Sequence, residues 1–129
     1  MWSNGVHPDL VKRIVERVLP AMAAFGTPMH VVQGVRTADQ QHHRWLQGRE
    51  GNPGPIVTNC DGYKVRSNHQ ANPVDGLGHA VDCAFVTDPW GEHQPWEVYG
   101  ALGEACGLAW GGRWSHPNDR PHLELRPNR

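Results

Sequence analysis

Three short segments carry the residue types that could perform hydrolytic chemistry. They are Ser67-Asn68-His69, Gly78-His79-Ala80-Val81-Asp82 and Asp119-Arg120-Pro121-His122. A catalytic zinc ion takes three protein ligands of nitrogen or oxygen type and keeps one position open for water. His69, Asp82 and His122 could supply these ligands from three separate elements. Asp119, three residues before His122, is close enough in sequence to serve the same site as a general base.

Strand geometry favours Asp82 over His79 as a metal ligand. Residues 80–86 are predicted to form a buried strand, in which successive side chains point to opposite faces. Asp82 then shares a face with Ala80 and Ala84, whose small side chains leave room for a metal and a substrate. A carboxylate in an apolar strand is costly unless it is paired or coordinated. The alternative, a carboxylate bonded to backbone amides at a strand end, stays open at this point.

Other side chains near these segments each allow two interpretations. Glu124 alternates with Leu residues on a predicted strand, so it either orients the histidine two positions earlier or is a solvated carboxylate. His79 and His116 either assist the site or belong to the surrounding structure. Trp110 and Trp114 either form the floor of a peptide cleft or pack in the core.

The elements that must position these residues are typical of an α+β domain. Helices are predicted over residues 8–19, 37–47 and 95–105. Short strands are predicted over residues 29–35, 80–86 and 123–126, and Gly- and Pro-rich loops over 49–66 and 70–78. Pro20 should kink or end the first helix. Thr37 with Gln40 forms the capping-box pattern that starts the second helix. Because helices and strands do not alternate regularly, a parallel βαβ sheet is not indicated.

Composition narrows the class of protein. The 129 residues fit one domain, and the formal net charge of −1 argues against partners held mainly by charge, such as nucleic acid or an anionic bilayer. Three scattered cysteines without a Cys-x-x-Cys pair indicate free thiols in a reducing compartment. The mean hydropathy is −0.61, and no membrane-spanning run or secretory signal is visible. We therefore expect a monomer made in the cytoplasm, without membrane insertion.

In this order, the three segments resemble the M15 metallopeptidases, the group of D-alanyl-D-alanine carboxypeptidases and L-alanyl-D-glutamate endopeptidases that includes small phage endolysins. The family pattern is Ser-x-His, then Gly-x-Ala-x-Asp, then a carboxylate, two residues and His. Val35-Arg36-Thr37 with Gln41 also resembles the Arg-Ser/Thr helix start of that family. The Trp- and Gly-rich residues 108–114 resemble the approach to the third segment in phage members.

The resemblance implies a single domain over residues 1–129 with a hedgehog/DD-peptidase-like fold, a small antiparallel sheet, about three helices and no separate wall-binding domain. It implies that one zinc ion is bound by His69, Asp82 and His122. Asp119 would deprotonate the attacking water. Arg36 would be a catalytic and substrate-binding residue that stabilises the oxyanion. Ser67 would position the substrate or the His69 segment.

The substrate implied by the resemblance is a stem peptide of peptidoglycan. The favoured activity is that of a phage-type endolysin that cleaves the L-Ala-D-Glu bond after the membrane is breached. A D-Ala-D-Ala carboxypeptidase or dipeptidase is the alternative enzyme, and a non-catalytic, zinc-stabilised wall-binding module is the alternative from another class. Two departures from the family are the inserted loop and Arg44. Eight residues, Gln70 to Leu77, separate His69 from Gly78 where shorter members have two, and many relatives carry an apolar residue at the position of Arg44.

Overall fold

In the computed structural model, which describes residues 1–126, a long helical run opens the chain. It comprises α1 (Pro8–Arg13), a π-helical turn (Ile14–Val18) and α2 (Leu19–Phe25). His7 caps α1, because its Nδ1 accepts a hydrogen bond from the backbone N–H of Asp9 at 3.1 Å. The run does not end at Pro20. The wider π turn ends at Val18, two residues before this proline, which lacks the N–H for an α-helical hydrogen bond, and the helix continues to Phe25.

The other two helices, α3 (Ala38–Leu46) and α4 (Trp96–Ala105), lie within the predicted segments. The capping box at the start of α3 is confirmed. Thr37 Oγ1 accepts from the Gln40 N–H at 3.1 Å, and Gln40 Oε1 accepts from the Thr37 N–H at 2.9 Å. These two bonds fix Thr37, the residue after Arg36, as the N-cap of α3.

Four strands form one antiparallel sheet in the order β1-β2-β4-β3. The strands are β1 (Met29–Gln33), β2 (Ala80–Phe85), β3 (Leu108–Trp110) and β4 (His122–Leu125). The sequence pattern did not predict β3, because three residues are too few to show an alternation. β4 starts one residue earlier than predicted, which places His122 inside the sheet. The α+β class with a small antiparallel sheet and three helical segments is confirmed.

The two faces of the sheet differ in chemistry. One face packs against the first helical run and α4 to form the hydrophobic core, which includes Leu10, Ile14, Val18, Met22, Val81, Cys83, Phe85, Trp96, Tyr99, Leu108, Trp110 and Leu123. The other face carries Asp82, His122 and Glu124, which are buried although they are ionisable. The alternation of β2 and β4 therefore separates the core from a polar site.

The Gly- and Pro-rich stretches form loops without strands or helices, as predicted. The inserted residues 70–77 lead into Gly78, whose N–H donates to Gly5 O at 2.8 Å and whose carbonyl accepts from the His7 N–H at 2.9 Å. The insertion thus lies beside the N-terminal segment. Among the helices of residues 1–126, none combines the length and apolar character needed to cross a membrane.

Candidate metal centre

Three elements bring His69, Asp82 and His122 together. Asp82 on β2 and His122 on β4 are direct partners in the antiparallel register, so their side chains leave the sheet on the same face. His69 comes from the loop before β2, and its carbonyl oxygen accepts a hydrogen bond from the Arg36 N–H at 2.8 Å. All three side chains are buried.

The donor atoms of these residues fit a tetrahedral zinc ion. His69 Nε2 lies 3.2 Å from His122 Nδ1 and 3.3 Å from Asp82 Oδ1, and the third distance, His122 Nδ1 to Asp82 Oδ1, is 3.5 Å. Ligand atoms about 2.0–2.1 Å from a tetrahedral zinc are about 3.3–3.4 Å apart. Asp82 Oδ1 is buried and accepts no hydrogen bond from the described residues. This triangle of two nitrogens and one oxygen is suited to hold Zn²⁺.

In each imidazole, the nitrogen that points away from the site makes a hydrogen bond, so the other nitrogen is left to face the site. His69 Nδ1 lies 3.0 Å from the Gly34 carbonyl, which can only accept, so Nδ1 carries the proton and Nε2 faces the site. His122 Nε2 lies 2.7 Å from Glu124 Oε1, which leaves Nδ1 facing the site. Asn68 Nδ2 donates to the other oxygen of Glu124 at 2.8 Å. These contacts orient the two candidate ligands, as carbonyls and carboxylates do around metal-binding histidines.

The electrostatics favour an ionised Asp82. Burial raises the pKa of this carboxyl, but His69 and His122 outweigh burial and hold the pKa well below its ordinary value. Burial lowers the pKa of His122, but the contacts with the carboxylates of Asp82 and Glu124 outweigh that effect and raise the pKa to about 9. The two carboxylates therefore make the His122 imidazole more basic, and a more basic imidazole donates its electron pair to a metal more strongly.

Asp119 lies at the edge of the same site, on the turn that leads into β4. Its Oδ2 is 3.7 Å from His122 Nδ1, and its side chain remains 29% exposed, so water and substrate can reach it. Burial raises the pKa of Asp119, and the negative charge of Asp82 raises it further. A raised pKa makes the Asp119 carboxylate a stronger base, which suits a group that must take a proton from water.

Backbone contacts from the core fix the turn that carries Asp119. The Tyr99 hydroxyl donates to the Pro121 carbonyl at 2.7 Å, and Trp110 Nε1 donates to the Arg120 carbonyl at 2.7 Å. The Asp119 N–H donates to Gly111 O at 2.9 Å. A Cβ on Gly111 would lie 2.2 Å from the Asp119 carbonyl oxygen, so only glycine permits this close approach.

Arg36 is buried behind the three candidate ligands. Its Nη1 donates to Gln41 Oε1, and its Nη2 lies 3.4 Å from Asp82 Oδ2. Burial and, after it, the charge of Arg44 lower the pKa of Arg36 to about 10, so the guanidinium remains cationic at neutral pH. Gln41 is itself fully buried and donates to Thr58 Oγ1 and to the Cys60 carbonyl. Gln41 therefore ties Arg36 and α3 to the loop that borders the site.

A cavity of about 410 Å³, the site cavity, is bordered by His69 and His122, two of the three candidate ligands. Its walls include Arg36, Arg44, Cys60, Ser67, Trp114 and Asp119. Ser67 Oγ accepts a hydrogen bond from the His69 N–H at 3.2 Å, so Ser67 both borders the cavity and orders the His69 segment. The ring centroid of Trp114 is 4.8 Å from that of His122, so Trp114 forms part of the cavity wall.

Some candidate residues lie elsewhere. His79 turns away from the metal-ligand triangle and its Nε2 contacts Asp75 Oδ2 at 2.7 Å. The inserted loop that contains Asp75 does not border the site cavity. Trp110 packs in the core, and His116 lies at the cavity wall, where its carbonyl accepts from Asn59 Nδ2 at 2.8 Å.

The sequence patterns missed the supporting roles of Gly34, Asn68 and Gly111. Asn68 was noted only as the middle residue of the Ser-x-His segment, and Gly111 only as part of the Trp- and Gly-rich residues 108–114. A carbonyl partner such as Gly34 O carries no side-chain signal at all, because every residue has a carbonyl.

A family profile described as D-alanyl-D-alanine carboxypeptidase, peptidase M15, matches residues 61–125. The chain is also similar to the peptidoglycan L-alanyl-D-glutamate endopeptidase CwlK of Bacillus subtilis (strain 168). The two are 28% identical over 130 aligned positions, which cover 97% of this chain and 76% of CwlK.

Two solved structures are similar as well. One is the L-Ala D-Glu endopeptidase ChiX of Serratia marcescens, with a TM-score of 0.58, 28% identity, and coverage of 95% of this chain and 82% of ChiX. The other is VanY, a vancomycin-resistance D,D-pentapeptidase from a VanB-type cassette, solved with Zn(II). Its TM-score is 0.66 at 14% identity, with coverage of 93% of this chain and 72% of VanY, a likeness that shows the fold.

Proposed function

The chain belongs to the M15 peptidase family, the zinc-dependent D-alanyl-D-alanine carboxypeptidase group, and from that premise we propose that it hydrolyses stem peptides of peptidoglycan at the L-Ala-D-Glu bond. The observation that carries the proposal is the triangle of buried donor atoms, 3.2 to 3.5 Å on each side, with Asp119 beside it and Arg36 behind it. The endopeptidase activity of CwlK and ChiX, both 28% identical to this chain, supports the choice of bond.

His69, Asp82 and His122 would hold the zinc ion in this proposal. Zinc supplies a Lewis acid and lowers the pKa of a bound water to about 7. The Gly34 carbonyl and the Glu124 carboxylate keep the two imidazoles turned with one free nitrogen toward the ion. The two imidazole rings are therefore oriented before any substrate binds.

Asp119 would move the protons of the reaction. It would accept the proton that the attacking water loses and donate a proton to the nitrogen of the leaving amine. Its position at the cavity wall and its raised pKa both suit this exchange. Because the Asp119 turn is held by backbone hydrogen bonds, the carboxylate needs little reorganisation during turnover.

Arg36 would stabilise the negative charge that develops on the carbonyl oxygen of the scissile bond. It borders the cavity, and contacts with Gln41 and Asp82 fix its guanidinium in place. A cation fixed in advance stabilises a developing oxyanion more effectively than one that must first be ordered. Ser67 would keep the His69 segment in register and border the bound peptide.

The second candidate activity is that of a D-Ala-D-Ala carboxypeptidase. The matching family profile carries this description, and the same zinc, base and arginine would perform either hydrolysis. The shape of the cavity would decide which bond is cleaved, because both reactions need the same groups at the scissile carbonyl.

We also propose that residues 1–126 act as one catalytic domain of a phage-type endolysin. One hydrophobic core supports the single domain, and residues 108–114, which resemble phage members, form β3 and the turn against which Asp119 packs. In bacteria that produce the protein, we expect lysis only after the inner membrane has been permeabilised. Lysis without permeabilisation would contradict the endolysin role and leave the peptidase activity unaffected.

The decisive experiment is mass spectrometry of muropeptides from purified sacculi after digestion. New amino termini on D-glutamate are expected for the endopeptidase, and release of free D-alanine would favour the carboxypeptidase. Treatment with a zinc chelator should stop the digestion. Wall binding without any released fragment, by protein that holds one zinc, would establish the non-catalytic module instead.

Asp119→Asn is the matched variant for this assay, because it keeps the size and removes the base. We expect zinc content to remain and turnover to fall by about 10²–10⁴-fold, the usual contribution of a general acid–base residue. Full activity of this variant would remove Asp119 from the mechanism.

A further inference from the structure

Three arginines border the site cavity, and they differ in what their side chains already bind. Arg36 contacts Gln41 and Asp82. Arg66 donates from Nη1 to the Ala71 carbonyl at 3.3 Å. Arg44 is exposed, and its guanidinium takes part in no hydrogen bond or salt bridge within residues 1–126. Among these three arginines, Arg44 is therefore the one that keeps all of its donors available for a substrate.

Helix geometry places Arg44 near the reacting groups. It follows Gln41 by three residues on α3, so both side chains lie on the helix face that meets the site. The effect of Arg44 on its neighbours agrees with this placement. After burial, its positive charge is the largest cause that lowers the pKa of Arg36. It also offsets part of the rise in the pKa of Asp119. Arg44 thus borders the cavity and is close enough to Arg36 and Asp119 for its charge to act on both.

The chemistry of the proposed substrates supplies a partner for this cation. D-glutamate has two carboxyl groups and continues the stem through only one of them, so one carboxylate stays free beside the scissile bond. A terminal D-alanine likewise carries a free carboxylate on the carbon that bears the scissile nitrogen. Both bonds considered above therefore place one carboxylate on the leaving-amine side. A guanidinium binds such a planar group with two parallel hydrogen bonds.

We propose that Arg44 is a specificity-determining residue that binds the free carboxylate on the leaving-amine side of the scissile bond. This inference rests on the proposed peptidase function and adds the chemical class that the cavity selects. In this arrangement Arg36 stabilises the carbonyl oxygen of the scissile bond, and Arg44 binds the free carboxylate on the leaving-amine side. A substrate with a carboxamide at that position loses the charge and one acceptor, and is therefore bound more weakly.

The test compares paired peptides that differ in one group. One pair is L-alanyl-γ-D-glutamyl-lysine with its glutamate α-carboxylate free, and the same peptide with an α-carboxamide. The second pair ends in D-Ala-D-Ala, as the acid and as the C-terminal amide. For the bond that the wild-type protein cleaves, kcat/KM is expected to favour the acid by about tenfold, mainly through KM, as one charge-assisted contact open to solvent allows.

Variants assign that preference to Arg44. Arg44→Met should reduce the ratio of kcat/KM for the acid to kcat/KM for the amide to about one, and Arg44→Lys should restore part of the difference. Arg17→Met is the matched control, because Arg17 is an exposed helical arginine that does not border the site cavity. Thermal unfolding of each variant checks that it is folded.

Each outcome has a separate meaning. An acid preference that survives in Arg44→Met, or a wild-type protein that cleaves acid and amide equally well, overturns the role of Arg44 and leaves the peptidase function intact. A wild-type protein that cleaves neither pair overturns the proposed function and the carboxylate site together. If Arg44→Met does not fold, the wild-type preference and the Arg44→Lys variant still decide the question.

Discussion

Two histidine–carboxylate pairs in this protein have the same length and different surroundings. His122 Nε2 contacts Glu124 Oε1 at 2.7 Å inside the sheet, with side chains 5% and 12% exposed. His79 Nε2 contacts Asp75 Oδ2 at 2.7 Å beside the inserted loop, with side chains 23% and 32% exposed. A short contact between the same two groups therefore does not identify a functional site. Burial and the environment of the second imidazole nitrogen make the difference.

The cavities beside the two pairs likewise show that one geometric property does not identify a functional site. The cavity beside His79 is the larger, at about 710 Å³ against about 410 Å³ for the site cavity. Within the described residues, however, the one group of three potential metal ligands is His69, Asp82 and His122. The size of a cavity says less about its chemistry than the convergence of donor atoms does.

The largest difference between the two pairs should appear when each histidine is removed. His122→Ala should lose bound zinc and all measurable peptidase activity, because only two of the three ligands remain. The buried charge of Asp82 also loses one of its two histidine partners. His79→Ala should retain both. Zinc content after dialysis and kcat/KM on sacculi measure the two effects. Equal zinc loss in both variants would show that burial does not separate the pairs.

The carboxylates should differ by a smaller margin. Glu124→Gln removes the charge that makes His122 a strong donor, and we expect zinc affinity to fall by about 10–100-fold. Asp75→Asn is the matched change in the exposed pair and should leave zinc affinity unchanged. Competition with a chromophoric chelator measures both constants. An unchanged zinc affinity in Glu124→Gln would show that the charge of Glu124 does not contribute to zinc binding.

Cysteine alkylation offers a milder test of the two cavities. Cys60 borders the site cavity, whereas Cys106 precedes Gly107, which borders the other cavity. Alkylation of Cys60 in a Cys106→Ser variant should lower activity several-fold by obstructing the peptide, and alkylation of Cys106 in a Cys60→Ser variant should not. Intact mass and residual activity report the result. Equal inhibition through both thiols would contradict the assignment of the cavities.

The rate at which Cys60 is alkylated should increase with pH. Burial raises the pKa of Cys60, and the thiolate is the reactive form. Its alkylation should therefore be slower at neutral pH than that of a free thiol, and should accelerate as the pH rises. Cys83 is buried in the core with a pKa raised to about 12, and should not react while the protein is folded.

The smallest expected effect concerns the stability of the exposed pair. The Leu77 N–H and then His79 lower the pKa of Asp75 despite an opposing effect of desolvation. A lowered carboxyl pKa stabilises the folded state above the ordinary pKa and loses that effect as the pH falls through the folded value. Asp75→Asn should thus lower Tm slightly at pH 7, and the difference from wild type should vanish in acid. A Tm difference that grows in acid would contradict this sign.

The sequence by itself was sufficient for the local features. Apolar spacing located the helices and three strands, the Thr37 and Gln40 capping box located α3, and alternation in residues 80–86 placed Asp82 on the polar face. These features depend on residues a few positions apart, and a sequence pattern records such separations directly. Residue type and spacing also suggested the three candidate ligands and Asp119, and the family resemblance implied the same roles and added Arg36.

The tertiary structure decided what depends on distant residues. It showed that His122 faces the site through Nδ1 because Glu124 occupies Nε2, and it turned His79 toward Asp75. It also placed the inserted loop away from the site cavity and left Arg44 free beside it. The physical reason is that hydrogen-bond partners and burial are set by contacts between separate elements. A one-dimensional pattern lists the side chains, and only the packed chain determines which atoms of those side chains meet.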